Sequence, residues 1–314
     1  MTKKPAIVLI NALLVAALVW WHQSTSPSCT QTPYSLLLPL GGEYGVDWTI
    51  SNYVDLSGGG PPLDWGGHQV TYRGHEGVDF VVPHFGYMDD GFPVLAVADG
   101  VVEGVVSHHS DRQTQRASRQ WNVVTVKHDN GYTSVYGHLR KQSSQVRPGQ
   151  RVHAGESLGV IGSSGDSDWP HLHFELRDCR QGVVDPSREG LWSQMPPYVS
   201  PLLLMDARLF PYPGNEAAVR KQLLDYPEPP VLIAATQPLT FALVLSGGQP
   251  GNTASVRLRR QDGSIARENL YRFENTHGFS WRYWWWDLKG ESGTLTAEAL
   301  INGVVHYRHS LKVD

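Results

Sequence analysis

The stretch "HLHFEL", His171–Leu176, has the two-residue alternation of a half-buried β-strand. Successive side chains of a strand point to opposite faces, so His171, His173 and Glu175 share one face, and the leucines and the phenylalanine share the other. The apolar face is predicted to belong to a core. The polar face is either a solvated row with incidental histidines or the wall of a metal site, and the stretch alone leaves both interpretations open.

Short strand patterns separated by turn signals precede this stretch. Two apolar runs surround Asp99-Gly100 in "VLAVADGVVEGVVSH", and "WNVVTVKHDNGYTSVYGHL" turns at Asn130-Gly131, so each is predicted to form a β-hairpin. The chain has 32 glycines and 21 prolines, and long amphipathic helical patterns are scarce. We therefore predict a mainly β protein with antiparallel sheets that leave one face solvated.

The last part of the chain, from about residue 231, alternates again in "LTFALVLS", "ASVRLRRQDG" and "TLTAEALINGVVHYRHSLKVD". Several short strands with turns between them, one at Asn302-Gly303, predict a small β-sandwich of the immunoglobulin-like type. The proline-rich stretch before it, residues 196–230, is predicted to be a linker with one short helix in "NEAAVRKQLLDY".

The N-terminus has the features of an export signal or a membrane anchor. Lys3 and Lys4 precede the apolar run "PAIVLINALLVAALVWW", which is shorter than the about 20 residues that a spanning helix needs. No clear cleavage site follows, and two tryptophans end the run, as is common at a membrane interface. A cleaved signal and an uncleaved tether through residues 6–21 both remain open. Either one predicts a periplasmic or other extracytoplasmic location, with the protein secreted or anchored to the inner membrane.

Charge and cysteine content narrow the protein class further. The formal net charge is −4, with 18% charged residues, so the chain has no sign of a nucleic-acid-binding surface. Its two cysteines, Cys29 and Cys179, could form one disulfide in an oxidising compartment, or Cys29 could be lipidated. The predicted organisation is an N-terminal signal or anchor at 1–28, a β domain at 29–195, the linker at 196–230 and the sandwich at 231–314.

A second stretch, "YRGHEGVDFVVP", offers further metal ligands. His75 and Asp79 are four residues apart, which is too far in an extended strand for two ligands of one ion, so a bend at Gly77 is predicted. Histidine and aspartate are zinc-type ligands. The residues alone allow a closed site in which both His171 and His173 join them, or a three-ligand site in which one histidine acts on bound water.

A third stretch, "YTSVYGHL", ends at a histidine of the second predicted hairpin. Alternation places Tyr132, Ser134, Tyr136 and His138 on one face of its strand. The stretches can form one site only if this face is also the face that carries His171 and His173.

The motifs "GHEGVDF", "YGHL" and "HLHFEL", in this order, resemble those of the M23 family of zinc metallopeptidases, the lysostaphin-like or LytM-type peptidoglycan endopeptidases. The resemblance covers roughly residues 46–186 and implies that the domain at 29–195 is a zinc peptidase with a glycine- and proline-rich N-terminal extension. It implies zinc as the cofactor and peptidoglycan peptide as the substrate. The implied site residues are the zinc ligands His75, Asp79 and His173, and the catalytic histidines His138 and His171.

Three aromatic features are not assigned a role by the motifs themselves. Members of the family often use a tyrosine to stabilise the oxyanion, and Tyr72 is a candidate, although a packed aromatic is the alternative. Trp169 stands where a small residue is common, which affects substrate fit. The stretch "WRYWWWDL" lies outside the resemblance and is predicted to be a sandwich core or a domain interface rather than a sugar-binding surface.

Three functions are compatible with these motifs. The first is an active endopeptidase that cuts peptide cross-bridges of the bacterial cell wall. The second is a non-catalytic envelope protein of the same fold that binds or regulates wall hydrolases, and the third is a metal-stabilised adhesion module. Because all five site positions are filled, the sequence favours the enzyme.

Overall fold

The computed structural model describes residues 35–115, 120–198 and 201–314. The predicted signal or anchor at 1–28, its tether at 6–21 and Cys29 lie outside these residues. Among the described residues, no helix has the length and apolar character needed to cross a membrane.

The first half of the described chain is built from strands and one short helix. Its elements are β1 (Thr49–Asn52), β2 (Val78–Val81), α1 (Gly86–Asp89), β3 (Pro93–Leu95), β4 (Gly100–Val106), β5 (Val123–His128), β6 (Thr133–Gly137), β7 (Arg151–Val152), β8 (Ser157–Val160), β9 (His171–Arg177) and β10 (Val183–Val184). Eight of these strands form one sheet within the described residues, in the order β1-β2-β9-β6-β5-β4-β7, with β10 also paired to β9. All its pairings are antiparallel, as predicted.

Strand β9 is an inner strand of this sheet, and its two faces have different environments. Its apolar face is fully buried, with Leu172 and Phe174 at 0% exposure and Leu176 at 1%. It pairs with β2 on one side and β6 on the other. The alternation in "HLHFEL" therefore corresponds to a core strand whose opposite face carries the histidines.

Of the two hairpins predicted in the first half of the chain, one forms and the other does not. Strands β5 and β6 pair across Asn130-Gly131, and Gly131 has the positive φ of 91° that this turn requires. The runs around Asp99-Gly100 do not pair with each other, because β3 pairs with β8 while β4 pairs with β5 and β7. The hairpin prediction at Asp99-Gly100 was wrong, since longer-range pairings satisfied both strands instead.

The second half of the chain forms two further sheets. Its elements are β11 (Leu203–Pro211), α2 (Glu216–Leu224), β12 (Leu232–Ile233), β13 (Leu239–Ser246), β14 (Thr253–Arg260), β15 (Ile265–Arg272), β16 (Phe279–Trp286), β17 (Gly293–Ile301) and β18 (Val304–Val313). The sheets are β11-β13-β16 and β12-β18-β17-β14-β15, and their strands pair antiparallel apart from β12 with β18. Apolar side chains of both sheets, such as Phe241 and Val256, share one core. The mainly β class with a C-terminal sandwich is thus confirmed.

The stretch at 196–230 is more structured than a simple linker. Strand β11 pairs along its length with β13 and belongs to the sandwich, and α2 is the predicted short helix. The prolines that suggested a connecting segment flank the strand or end it, at Pro201 and Pro211, where they interfere least with pairing.

The two halves meet through aromatic side chains of β16. Phe279, Trp281 and Tyr283 pack against the core of the first half. Trp169 is 6% exposed, and its ring centroid lies 5.2 Å from that of Phe279 and 6.1 Å from that of Trp281. Trp169, which appeared as a departure from the expected pattern, therefore belongs to the domain interface.

The rest of the tryptophan-rich stretch is divided between two environments. Trp284 and Trp286 pack against the core of the sandwich. Trp285 is 50% exposed and stacks on Tyr212 with ring centroids 5.0 Å apart. Alternation along one edge strand thus directs the aromatic residues to the interface on one face and to the sandwich core on the other.

Candidate active site

His75, Asp79 and His173 bring their side-chain tips together at the polar face of the sheet. Asp79 lies in β2 opposite His173 of β9, and His75 comes from the loop before β2. The Oδ1 atom of Asp79 lies 2.8 Å from Nδ1 of His173 and 3.1 Å from Nε2 of His75, and these two nitrogens are 3.2 Å apart. All three residues are buried, and their ligand atoms lie within 4.8 Å of one another.

Hydrogen bonds on the outer side of each ring determine which nitrogen faces the cluster. Nδ1 of His75 donates to the Tyr53 carbonyl at 2.7 Å, and Nε2 of His173 donates to Glu175 at 3.2 Å. In the neutral ring the other nitrogen then carries a lone pair that points inward. Two lone pairs and a carboxylate thus converge, and this donor set fits a zinc ion with outer partners that orient its histidines.

The electrostatics of this cluster agree with a cation site. Burial alone would raise the pKa of Asp79, but the neighbouring His75 and the hydrogen bonds from both histidines hold that pKa well below its usual range. Burial lowers the pKa of His173, but its hydrogen bonds to Asp79 and Glu175 outweigh burial and raise it to about 9. The two carboxylates thus favour a positive charge on or next to this ring.

His138 and His171 lie beside the cluster, and in both rings Nδ1 is bound to a backbone carbonyl. Nδ1 of His138 donates to the Ser164 carbonyl at 2.6 Å, and Nδ1 of His171 donates to the Trp169 carbonyl at 2.8 Å. Nε2 of each ring is therefore the free acceptor when the ring is neutral. The ring centroids are 4.4 Å apart, and Nε2 of His171 lies 3.8 Å from Oδ1 of Asp79.

Both of these histidines are predominantly neutral at pH 7. Burial lowers the pKa of His138 well below its usual value, and the nearby His171 and His173 lower it further. Burial also lowers the pKa of His171, against the opposing influence of Asp79. Neutral rings with an unprotonated nitrogen directed at the site can accept protons from water or substrate.

The structure brings His138 to the site by a different route from the predicted one. Tyr136 lies opposite Phe174 in the β6–β9 pair, so it is on the core face rather than on the histidine face, and it is fully buried. Ser134 lies on the same face, opposite Leu176, so the two β6 residues do share a face. The expectation that this face carries the row of His171 and His173 was wrong. The strand ends at Gly137, and His138 adopts a left-handed φ of 60°, which turns its ring toward the site.

Gly77 has a role beyond the predicted bend. A Cβ at this position would lie 2.6 Å from the Phe174 carbonyl and 2.7 Å from ring atoms of His173. The absence of a side chain lets the loop that carries His75 pack directly on the ring of His173.

Several residues of the site were not identified from the sequence. Asn52 donates to Oδ2 of Asp79 at 3.0 Å, and the Trp121 ring lies 4.9 Å from the His138 ring. Glu175 was visible on the histidine face, but its bond to His173 was not anticipated. Asn52 and Trp121 lie in other strands or loops with no motif around them, so only tertiary contacts reveal them.

An open cleft leads to the cluster. It has a volume of about 530 Å³, and the buried rings of His75, His138 and His173 form part of its floor. Tyr72 also lines it, with 41% of its surface exposed and its ring 4.5 Å from that of His75. The structure therefore places this candidate oxyanion donor at the entrance of the site.

Curated relatives match about a third of the chain. A metalloprotease of Haemophilus influenzae, described as uncharacterized, is 40% identical over 35% of this chain and 20% of its own length. Peptidoglycan DD-endopeptidase ShyC of Vibrio cholerae is 34% identical over 35% of this chain and 22% of its own length. DD-carboxypeptidase/endopeptidase Mpg of Neisseria meningitidis is 36% identical over 36% of this chain and 22% of its own length. The chain thus spans about a fifth of the length of these relatives.

Two solved peptidase structures are similar to part of this chain. The catalytic domain of lysostaphin from Staphylococcus simulans is 24% identical, with a TM-score of 0.30 over 45% of this chain and 89% of that one. A zinc-containing peptidase from Vibrio cholerae is 25% identical, with a TM-score of 0.31 over 50% of this chain and 41% of that one. The sequence profile of peptidase family M23 matches residues 73–186. This segment contains His75, Asp79, His138, His171 and His173, and it is a domain of peptidase family M23.

Proposed function

We propose that this protein is a zinc metalloendopeptidase that hydrolyses peptide cross-bridges of bacterial peptidoglycan. The observation that carries the proposal is the convergence of three buried ligand atoms beside two neutral histidines, next to an open cleft that His75, His138 and His173 line. The names of relatives from Vibrio cholerae and Neisseria meningitidis, which describe endopeptidases, support the same reaction class. Because peptidoglycan lies outside the cytoplasm, the proposal includes an extracytoplasmic location.

In this proposal His75, Asp79 and His173 hold the metal. Zinc bound there would supply a Lewis acid that polarises a carbonyl and lowers the pKa of water. Glu175 and the Tyr53 carbonyl keep the two ligand rings in the required tautomer through their outer nitrogens.

The remaining groups move protons and stabilise charge. His171 and His138 accept a proton through Nε2 and return it to the leaving amine, because burial keeps them neutral and the carbonyls of Trp169 and Ser164 fix their orientation. Tyr72, at the cleft entrance, is the proposed hydroxyl donor to the developing oxyanion.

The arrangement favours the three-ligand site over the closed four-ligand site. His171 lies 3.8 Å from Oδ1 of Asp79, and the group of atoms close enough to hold one metal consists of His75, Asp79 and His173 among the described residues. The fourth position is therefore proposed to remain open to water and substrate, as a catalytic zinc requires.

Digestion of purified peptidoglycan tests the proposed function. The full chain, loaded with zinc, is incubated with intact wall material, and the released fragments are identified by mass spectrometry beside a His138→Ala control. New amino and carboxyl termini within the peptides are expected for the wild type alone. A zinc-loaded protein that binds the wall but releases no peptide fragment would instead indicate the non-catalytic binding or regulatory function.

A further inference from the structure

A second cavity adjoins the candidate active site at the junction of the two halves. It has a volume of about 330 Å³. Asn52 and His171 line it from the first half, Phe279 and Trp281 line it from β16, and Arg220 lines it from α2. The cavity is thus continuous with the catalytic histidine on one side and with the C-terminal half on the other.

The contact between two edge strands forms one wall of this cavity. Strand β1 is at the edge of the first sheet and β16 is at the edge of the three-stranded sheet. They meet where the Thr49 hydroxyl donates to the Gly278 carbonyl at 3.3 Å and Ser246 donates to Thr49 at 2.6 Å. The packing of Trp169 on Phe279 then fixes the wall beside His171.

Arg220 is a cationic group of this cavity that has few partners. Its one hydrogen bond within the described residues runs from Nη1 to Oδ2 of Asp168 at 3.2 Å, and 24% of its side chain is exposed. A guanidinium group has five N–H donors, so most of them remain free to bind a ligand. Asp168 also lines the cavity and orients the group without covering it.

The remaining charges favour an anion. Arg282 is a second guanidinium among the lining residues, and its centre lies 4.1 Å from the Tyr271 ring centroid. His277 is predominantly neutral at pH 7, because burial and the nearby Arg282 lower its pKa. The lining residues thus include two arginines and, among the described residues, a single carboxylate outside the metal cluster, that of Asp168.

We propose that this interdomain cavity is a substrate subsite that binds a carboxylate of the wall peptide, and that Arg220 recognises it. The inference rests on the proposed function, because it requires a peptide held at His171. A peptide that lies along the open cleft and passes His171 enters the cavity. There the planar guanidinium of Arg220 can bind a carboxylate with two parallel hydrogen bonds. The C-terminal half thereby determines which peptides are cleaved.

The test compares two forms of one peptide substrate. The peptides are identical except that one ends in a carboxylate and the other in a carboxamide, and kcat and KM are measured with the zinc-loaded full chain. We expect wild type to favour the acid by about tenfold or more in kcat/KM, mainly through KM, as for a hydrogen-bonded charged group. Arg220→Ala should lose this preference, and Arg220→Lys should keep part of it.

The matched control is Arg151→Ala. Arg151 is an exposed arginine of β7 that forms an ion pair with Asp129, and β7 lies at the edge of the sheet opposite β1. It should keep the wild-type preference. Zinc content and melting temperature verify that each variant is folded, and Arg220→Gln replaces the alanine variant if that one fails to fold. A folded, zinc-loaded Arg220 variant with the wild-type acid-to-amide ratio would overturn the proposal.

The design separates failure of the subsite from failure of the proposed function. If wild type cleaves wall peptides but does not distinguish acid from amide, the subsite is wrong and the endopeptidase stands. If wild type cleaves neither peptide nor any wall material, the endopeptidase is wrong. Calorimetric titration of the two peptides into His138→Ala protein then decides the subsite, because equal affinities for acid and amide would refute it.

Discussion

The side chain of His173 connects the proposed metal cluster to the carboxylate of Glu175 behind it. It contacts Asp79 through one nitrogen and Glu175 through the other. We expect His173→Ala to lose most of its zinc, because two protein ligands hold the ion poorly. Elemental analysis of purified protein measures this. His153→Ala, which changes a histidine with 73% of its side chain exposed, serves as the control and should keep full occupancy. Full zinc in the His173 variant would contradict the ligand assignment.

The two neutral histidines should behave differently from the ligands. We expect His171→Ala and His138→Ala to retain zinc, while the hydrolysis rate falls by about two or more orders of magnitude, the usual contribution of acid–base catalysis. Zinc content and wall digestion are measured on the same samples. Loss of metal from the His171 variant would indicate the closed four-ligand site.

Glu175 offers a test of the outer hydrogen bond. Glu175→Gln keeps the size of the side chain but removes the charge that faces His173, and zinc affinity should fall by about 10–100-fold. Competition with a chelator measures the affinity. Glu76→Gln is a matched control, because Glu76 shares the partner Arg177 at 2.6 Å while Glu175 is the one that contacts His173. An equal loss in both variants would assign the effect to Arg177 rather than to His173.

At the scale of elements, the contact between β1 and β16 joins the two halves of the molecule. A Cβ on Gly278 would lie 2.2 Å from the Ile50 carbonyl, which is backbone and cannot rotate away. Gly278→Ala should therefore push the strands apart and lower the free energy of unfolding by about 1–3 kcal/mol. Chemical denaturation measures this change. Gly41→Ala is the control, since a Cβ there meets nothing within 4 Å, and a similar loss in both variants would exclude the clash as the cause.

At the scale of the whole molecule, the catalytic half depends on the C-terminal half for part of its apolar cover. Ala242 and Val244 of β13 belong to the core of the first half, while neighbouring residues of the same strand, such as Leu243, belong to the sandwich core. A chain that ended near Tyr226 would leave β11 without β13 and would uncover Trp169.

Such a shortened chain should still bind zinc, since all three proposed ligands precede Pro186. We expect a lower melting temperature and aggregation, because the apolar interface would be exposed to water. Zinc analysis and size-exclusion chromatography check both expectations, with the full chain as the reference. A monodisperse truncated protein with the stability of the full chain would contradict the shared core.

The sequence alone determined the features that depend on local pattern. The alternation in "HLHFEL" predicted a strand with one buried face, because the period of two is a property of the strand backbone itself. Asn130-Gly131 and Asn302-Gly303 predicted their hairpins, because the required positive φ values are local, and Asn302 and Gly303 have φ values of 48° and 82°. The three histidine motifs and their order likewise lie in short, contiguous segments.

Only the tertiary structure decided the features that depend on which distant segments become neighbours. The register of β6 against β9 turned Tyr136 to the core, and a left-handed His138 then restored the ring to the site. The bond of Asn52 to Asp79 and the packing of Trp169 on Phe279 join segments whose sequences carry no sign of each other. Strand pairing and interface packing depend on the energy of the whole fold, so a local pattern cannot specify them.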